Sequence, residues 1–258
     1  MAVMQRPLLA EVATFLRFYS RLPIGADDHA ALDFGQMAPA LPIAGAAIGA
    51  IGAAALVVAR ICHLPSFVCA LIAVAGLALA TGALHEDGLA DVADGFGGGA
   101  TRESKRAIMR DSRVGAYGVL ALCISILLRV AALGAIIERS VALAALALIF
   151  AGALSRVAGL APMLWLRPAR DDGLGANVAA PSRGVWLRAF SIAGAIGLAP
   201  WLAGASAGQI AVSIVGAFAM AALVARLAEN QIGGYTGDAL GAAQQLAEIA
   251  ILTALSAA

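Results

Sequence analysis

An acidic motif at residues 85–95 carries the side chains best suited to chemistry. Four of the sixteen acidic residues of the chain fall within nine consecutive positions there. Asp87, Asp91 and Asp94 are spaced i, i+4, i+7, which places them on one face of a helix. Carboxylates on one stripe repel one another unless a cation lies between them. Oxygen ligands of this kind suit Mg²⁺ or Mn²⁺, which commonly share them with a substrate phosphate. The motif therefore predicts a divalent-metal site, against the alternative of a solvated helix end.

The composition indicates a polytopic membrane protein. Hydrophobic residues make up 62% of the chain and charged residues 13%, whereas soluble domains average about 25% charged residues. Apolar runs of about twenty residues are long enough to cross the hydrocarbon core of a bilayer. The formal net charge is +1, and no basic segment with interleaved aromatic residues is present, so we do not expect nucleic-acid binding. The three cysteines form no C-x-x-C pair, which argues against disulfides and zinc.

The hydrophobic pattern predicts an all-α membrane bundle of about six or seven transmembrane helices, with residues 1–258 as one domain. Residues 7–21 are too short and too charged to span, and their helical apolar spacing predicts an amphipathic helix at the membrane interface. The glycines at 95–99 are expected to end the acidic helix. We expect spans at about 38–59, 66–84, 114–137, 141–166, 185–203, 209–225 and 239–258, the last being the most polar.

The distribution of positive charge predicts the orientation of this bundle. Lys and Arg number five in residues 102–113 and three in 167–183, but the intervening connections on the other face carry one or none. The positive-inside rule then places the loops 85–113, 167–184 and 226–238 on the cytoplasmic side. These loops are the ones rich in Gly, Asp and Arg, so we expect chemistry on cytoplasmic substrates at the membrane surface.

Cationic segments close to the acidic motif suit the binding of phosphate groups. Arg102, Lys105 and Arg106 are near enough in sequence, although anchoring at lipid headgroups explains them equally well. The segment Arg110–Gly118 brings two Arg, one Asp, one Ser, one Tyr and two Gly to the mouth of a span. An interface anchor would not need that set, so a role in a site is favoured. His85 is a candidate general base, and a helix-end role is the alternative.

Charged and polar residues inside the predicted spans also need an explanation, because ionised side chains are costly if they face lipid. Arg156 lies well inside its span and is expected to pair with a carboxylate or to face a substrate cavity. Arg129 is expected to extend towards the interface. Asp238, Gln244 and Glu248 occupy the last span or its mouth. Structural hydrogen bonds between helices are the alternative to a role in a site.

Three motifs together resemble the cobalamin synthase family, whose activity is adenosylcobinamide-GDP ribazoletransferase. The similarity extends over nearly the whole chain and includes an N-terminal segment, Phe18–Pro23, in which Ser20 stands where Thr is expected. The motifs are HEDGLADVADG at 85–95, RDSRVGAYG at 110–118 and GGYTGDALGA at 233–242.

The resemblance implies a Mg²⁺-dependent enzyme of the bacterial inner membrane that completes the nucleotide loop of cobalamin. In that reaction a hydroxyl of α-ribazole, or of its 5′-phosphate, attacks the cobinamide-linked phosphorus of adenosylcobinamide-GDP. GMP leaves, and adenosylcobalamin or its phosphate forms. The implied partners are these two substrates and the lipid bilayer. The resemblance does not decide between a monomer and a homo-oligomer.

The resemblance also implies roles for individual residues. Asp87, Asp91 and Asp94 would hold Mg²⁺ on the pyrophosphate, with Glu86 as a further ligand or a supporting group. One of these carboxylates, or Asp111, would take the proton of the attacking hydroxyl. Asp238 would contact the metal or the acceptor. Substrate and phosphate contacts are expected from Arg110, Ser112, Arg113, Tyr117, Arg156, Tyr235 and Asp238.

Two other classes of membrane protein are alternatives. CDP-alcohol phosphotransferases also use spaced aspartates at a membrane surface, but their D-x-x-D-G-x-x-A-R motif with a later D-x-x-x-D is not matched here. A transporter would line a path with intramembrane charges such as Arg156 and Glu248. Transporters place such charges near the midplane and often show paired halves, whereas most charges here cluster on one face.

Overall fold

The fold is described from a computed structural model, which covers residues 7–25, 32–170 and 178–257. Over these ranges the chain forms helices and no strand, apart from an isolated bridge between Pro168 and Tyr235. The helices, in chain order, are α1 (Leu8–Tyr19), α2 (Phe34–Met37), α3 (Leu41–Ile61), α4 (Ser66–Thr81), α5 (Leu84–Gly98), α6 (Arg102–Ile108), α7 (Ala116–Arg139), α8 (Val141–Gly159), α9 (Pro162–Trp165), α10 (Arg183–Ile196), α11 (Leu198–Leu202), α12 (Ala207–Ile232) and α13 (Gly237–Ser256).

The predicted membrane bundle is confirmed. Within the described ranges, six helical segments are long and apolar enough to cross a bilayer, and a seventh is counted if α4 and α5 form one broken span. These two helices meet at an angle of 90°. The six segments are Phe34–Ile61, Ala116–Arg139, Val141–Trp165, Arg183–Leu202, Ala207–Ile232 and Gly237–Ser256.

The glycines at 95–99 end the acidic helix as expected, since α5 runs to Gly98. A Cβ at Gly95 would lie 2.5 Å from the Met109 side chain, so this glycine permits Met109 to pack closely against α5. One expected boundary is wrong: α12 continues to Ile232, seven residues beyond the expected end of the span. It stops where Gly233 takes a left-handed conformation with φ of +81°.

Small residues allow the two central helices, α3 and α8, to approach closely. A Cβ at Gly45 would lie 2.2 Å from the carbonyl oxygen of Gly152, and one at Gly49 would lie 2.3 Å from that of Leu148. Glycines four residues apart therefore form a contact surface, as expected for helices that associate in lipid.

The acidic helix is redirected by its entry turn. Gly82 and Ala83 both have left-handed backbone angles, with φ of +64° and +57°, and they turn the chain from α4 into α5. Helix α5 then packs against α7 and α13. A Cβ at Gly88 would lie 2.9 Å from the carbonyl oxygen of Asp238. Gly88 therefore lets the acidic motif approach the first turn of α13.

Helix α1 closes this region from the side. Its Phe15 ring stacks on Phe34 at a centroid distance of 5.6 Å, and its Tyr19 ring stacks on His85 of α5 at 5.3 Å. Val12, Phe15 and Tyr19 are buried, whereas Leu9 is largely exposed. The predicted amphipathic helix is present, and its inner face packs on the segment that carries the acidic motif.

Candidate active site

The aspartate stripe of α5 runs from an open to a buried environment. Asp87 is exposed, Asp91 is half-buried and Asp94 is buried. The carboxylates of Asp87, Asp238 and Asp94 all repel that of Asp91 electrostatically. Asp238 belongs to α13, and its carboxylate lies near the stripe because Gly88 allows α13 to approach α5 closely. The structure therefore brings Asp238, a residue of the 233–242 motif, to the exposed end of the stripe.

Asp94 is occupied at the other end of the stripe. Its two carboxylate oxygens accept hydrogen bonds from the backbone N–H groups of Gly115, at 2.7 Å, and Gly118, at 2.9 Å. These donors belong to the first turn of α7, whose N–H groups have no partner within the helix. Asp94 thus anchors the 110–118 motif to α5, an arrangement favoured by the positive end of the helix dipole.

Glu86 is engaged on another side of α5. Its Oε1 accepts a hydrogen bond of 3.0 Å from Nη1 of Arg129, which also donates to Glu248 at 3.4 Å. Gln244 donates to Glu248 at 3.0 Å and to Ser155 at 2.9 Å. The expectation that Arg129 extends to the interface is wrong: it is 1% exposed and its charge is balanced by two buried carboxylates. Glu248 fits the alternative of structural bonding between helices.

A pocket of about 260 Å³ opens at the exposed end of the aspartate stripe. Asp87 and Asp238 line it together with two cations, Arg156 and Arg170. The pocket therefore combines two carboxylates with two guanidinium groups, a set that can bind a metal-bound phosphate and balance its charge.

Arg156 was expected either to pair with a carboxylate or to face a substrate cavity. It lines this pocket. Its Nη1 donates to the carbonyl oxygen of Gly152 at 2.9 Å, and its guanidinium lies 5.6 Å from the centroid of the Tyr19 ring. Its Nε is buried and has no hydrogen-bond partner among the described residues. Arg156 is thus held in place by two contacts and keeps donor capacity beside the pocket.

Tyr235 positions the loop that carries Arg170. The Tyr235 N–H donates to the carbonyl oxygen of Arg167 at 3.0 Å, and the N–H of Ala169 donates to the carbonyl oxygen of Tyr235 at 2.8 Å. The next residue along the loop is Arg170, which acts electrostatically on Asp238. The backbone of Tyr235 therefore joins the second and third polar loops, and its side chain is buried.

The 110–113 segment lies outside the lining of the pocket. Arg113 and Asp111 form an exposed ion pair with each other, in which Arg113 Nε donates at 3.0 Å. Hydrogen bonds from Arg113 lower the pKa of Asp111 to about 2. Ser112 is exposed. Arg110 is exposed as well and has contacts of its own. The structure does not bring these four residues together with Asp87.

Tyr117 is the second residue of α7 and packs against the acidic helix. A Cβ at Gly97 would lie 2.7 Å from the Tyr117 ring, so the ring covers Gly97. Tyr117 is still largely exposed. It lies at the buried end of the stripe, on the side of Asp94, and is not part of the pocket lining.

Sequence reasoning did not assign four residues that line the pocket to a site, namely Phe18, Tyr19, Phe34 and Arg170. Arg170 lies in a polar loop whose cations were counted only for topology. Tyr19 belongs to α1, which was assigned to the membrane interface. Phe34 follows a polar segment and begins α2. The resemblance around Phe18–Pro23 was the one signal in the sequence that pointed to the N-terminal segment.

The donor set fits a divalent cation that is shared with a substrate. Among the described residues, no three His, Cys, Asp or Glu side chains stand in an arrangement that would hold a metal ion by themselves. Mg²⁺ is commonly held by one or two carboxylates, with substrate phosphates and waters as its other ligands. Asp87, Asp91 and Asp238 repel one another, so a cation between them would relieve that repulsion.

Comparison with known proteins identifies the same family as the three sequence motifs. The family model for cobalamin-5-phosphate synthase matches residues 11–256. An adenosylcobinamide-GDP ribazoletransferase of Azorhizobium caulinodans is 49% identical over 255 residues, covering 95% of this chain and 94% of the relative. Enzymes of the same name from Mesorhizobium japonicum and Xanthobacter autotrophicus are 44% and 47% identical, covering 98% and 94% of this chain and 95% and 94% of the relatives.

No solved structure matches the chain. The family model spans almost all of the sequence, and the relatives are aligned over nearly their full lengths. All three motifs fall within the matched residues, and two of them, around Asp87 and Asp238, meet at the pocket. The chain is therefore an enzyme that belongs to the cobalamin-5-phosphate synthase family.

Proposed function

We propose that this enzyme joins adenosylcobinamide-GDP to α-ribazole, or to α-ribazole 5′-phosphate, and releases GMP. The observation that carries the proposal is the meeting of Asp87 and Asp238 with Arg156 and Arg170 in one pocket. A pyrophosphate substrate needs both carboxylates for a metal and cations for its oxygens. The names of the relatives supply the corrinoid and the ribazole.

The metal in this proposal is Mg²⁺, which would be held by oxygens of the substrate pyrophosphate together with one or two of the carboxylates of Asp87, Asp91 and Asp238. When bound, it would neutralise the charge on the pyrophosphate and help GMP to leave. This set leaves out two of the expected metal ligands, Glu86 and Asp94, and includes Asp238, which was expected to contact the metal or the acceptor. Glu86 has its Oε1 on Arg129, and Asp94 has both oxygens on backbone N–H groups. Asp238 takes their place because Gly88 brings α13 close to α5.

The protein's own groups would orient the two substrates. Arg156 and Arg170 bind phosphate oxygens at the pocket, and the apolar residues around them exclude water from the reacting phosphorus. The hydroxyl of the acceptor gives up its proton to a carboxylate beside it. Asp111 is unsuited to that step, because a group with a pKa of about 2 is a weak base near neutral pH.

We place this chemistry at the cytoplasmic surface of the bacterial inner membrane. The alternation of positive charge supports that orientation, and the relatives are bacterial. The charged pocket residues come from the start of α5, the second half of α8, the loop before residue 171 and the start of α13. These segments adjoin the loops with the higher counts of Lys and Arg.

The proposal is tested by incubating purified protein with adenosylcobinamide-GDP, α-ribazole and Mg²⁺ and measuring GMP. GMP formed in equal amount to the cobalamin product supports it, and the Asp91→Asn variant should lose most of that activity. A wild-type protein that forms no GMP would refute the proposed function. Full activity of Asp91→Asn with Mg²⁺ as the only metal would refute the metal assignment.

A further inference from the structure

We propose that the pocket beside Asp87 and Asp238 is the binding site for the aromatic base of the acceptor nucleoside, with Phe18 as the ring on which that base stacks. This inference rests on the proposed function and adds to it which of the two substrates enters the pocket. The corrin ring of the other substrate would stay outside the pocket, at its opening beside the exposed end of the aspartate stripe.

The first observation is the concentration of aromatic rings on one wall. The described part of the chain has three aromatic residues in the pocket lining, Phe18 and Tyr19 of α1 and Phe34 of α2. Leu84, Leu160 and Leu240 also line the pocket. An aromatic base buries its faces on such surfaces, and base–aromatic stacking tolerates different bases because every base has a π face.

The second observation is how these rings are held. Tyr19 stacks on His85, with an interplanar angle of 14°, and carries the Arg156 guanidinium over its ring. Phe34 stacks on Phe15. Phe18 packs edge-on against Tyr19 at 4.6 Å and stays partly exposed. Tyr19 therefore acts as a support, and Phe18 is the ring that is open to a ligand.

The third observation is size. The cavity volume of about 260 Å³ lies just below the range of about 300–1,000 Å³ for pockets that enclose small ligands. A nucleoside is a small ligand of this class, whereas a corrin ring with its substituents is much larger. The guanosine of the donor is similar in size to α-ribazole, and the separate KM values of the two substrates distinguish them. The carboxylates of Asp87 and Asp238 lie in the same pocket, so a bound nucleoside would present its ribose hydroxyl next to the proposed metal site.

The test is a steady-state comparison of Phe18→Ala and Phe18→Leu with the wild type, with each substrate varied in turn. Loss of one stacking contact should raise the KM for α-ribazole at least about fivefold in Phe18→Ala. The KM for adenosylcobinamide-GDP should change less than about twofold. Phe18→Leu keeps apolar volume, so its KM for α-ribazole should lie between those of the wild type and Phe18→Ala. Phe67→Ala, which removes a ring that is 59% exposed on α4, is the matched control.

Calorimetric titration of α-ribazole into the protein without donor substrate separates this inference from the proposed function. Wild-type protein that binds α-ribazole, with weaker binding in Phe18→Ala, supports the pocket assignment even if no GMP is formed. GMP formation with an unchanged KM for α-ribazole in Phe18→Ala would overturn the assignment and leave the proposed function standing. A raised KM for adenosylcobinamide-GDP alone would assign the pocket to the donor substrate instead.

Discussion

Arg129 of α7 donates a hydrogen bond of 3.0 Å to Glu86 of α5, and the two side chains form an ion pair that is almost completely buried. Glu86 immediately precedes Asp87. Through Glu248, at 3.4 Å, the same guanidinium also reaches α13. One cation thus joins the three helices that carry the acidic motif, the 110–118 motif and Asp238, so it fixes the relative positions of the site residues.

We predict that Arg129→Met strongly destabilises the protein. The substitution removes the cation that pairs with two buried carboxylates, and breaking a buried pair by removing one partner costs about 3–5 kcal/mol. The melting temperature of the detergent-solubilised protein should fall by many degrees. Arg188→Met removes an exposed cation of α10 and is the control. Similar melting temperatures for the two variants would show that the buried pair adds little.

A second prediction concerns Asp94. Asp94→Ala removes the acceptor of two N–H groups at the start of α7, and a hydrogen bond to a charged group contributes about 1.5–3 kcal/mol. Thermal unfolding should therefore show a clear loss of stability. Asp94→Asn keeps one carbonyl acceptor and should lose less. Equal stability of Asp94→Ala and wild type would argue against the capping role and return Asp94 to the metal site.

The roles of Asp94 and Arg129 show what the sequence alone could and could not supply. The i, i+4, i+7 spacing correctly predicted that three aspartates share a helical face. It could not tell which of them would meet a helix N-terminus, because the partners Gly115 and Gly118 lie more than twenty residues away. From the sequence, the side chain of Arg129 could equally have extended towards lipid headgroups. Only the packing of α5 and α13 around it shows that it is buried between helices.

A third prediction tests the approach of α5 to α13. In Gly88→Ala the new methyl group would lie 2.9 Å from the carbonyl oxygen of Asp238, so the helices must move apart. Misplacement of reacting groups by about 1 Å can cost roughly a hundredfold in rate, and we expect turnover to fall by about ten- to a hundredfold. GMP release measured beside thermal stability separates this effect from unfolding.

Gly98→Ala is the matched control for that experiment. It lies in the same helix, and its new methyl group would meet only ordinary contact distances, with Ile108 at 3.5 Å. Its activity should stay close to that of the wild type. Unimpaired turnover in Gly88→Ala would mean that the separation of Asp87 from Asp238 does not matter for catalysis.

A fourth prediction follows from the Asp111–Arg113 pair. Because Arg113 lowers the pKa of Asp111 to about 2, this carboxylate is ionised at every pH above about 4. Any stability that it contributes is present above its usual pKa and is lost only as the pH falls towards 2. Asp111→Asn should therefore leave the pH profile of GMP release unchanged in shape between pH 5 and 9. Loss of the acidic limb of the profile in that variant would identify Asp111 as the base, because a general base is inactivated by protonation as the pH falls.

The positions of the apolar helices were the most predictable part of the fold, because a run of apolar residues specifies a span without reference to its neighbours. The pocket was the least predictable. Its aromatic wall comes from α1 and α2, and nothing local in the sequence shows that Tyr19 lies against His85, which is 66 positions further along the chain. Arg170 reaches the site through the backbone bonds of Tyr235 with Arg167 and Ala169, contacts that leave no pattern of residue types.

The dependence of GMP release on Mg²⁺ concentration in Asp238→Asn, compared with Asp94→Asn, tests the central claim most directly. If Asp87, Asp91 and Asp238 hold the metal, Asp238→Asn should raise the half-saturating Mg²⁺ concentration by roughly tenfold or more. Asp94→Asn should leave that concentration within about twofold of wild type, whatever its stability. The reverse result, a shifted Mg²⁺ requirement in Asp94→Asn and an unchanged one in Asp238→Asn, would contradict the proposed metal site.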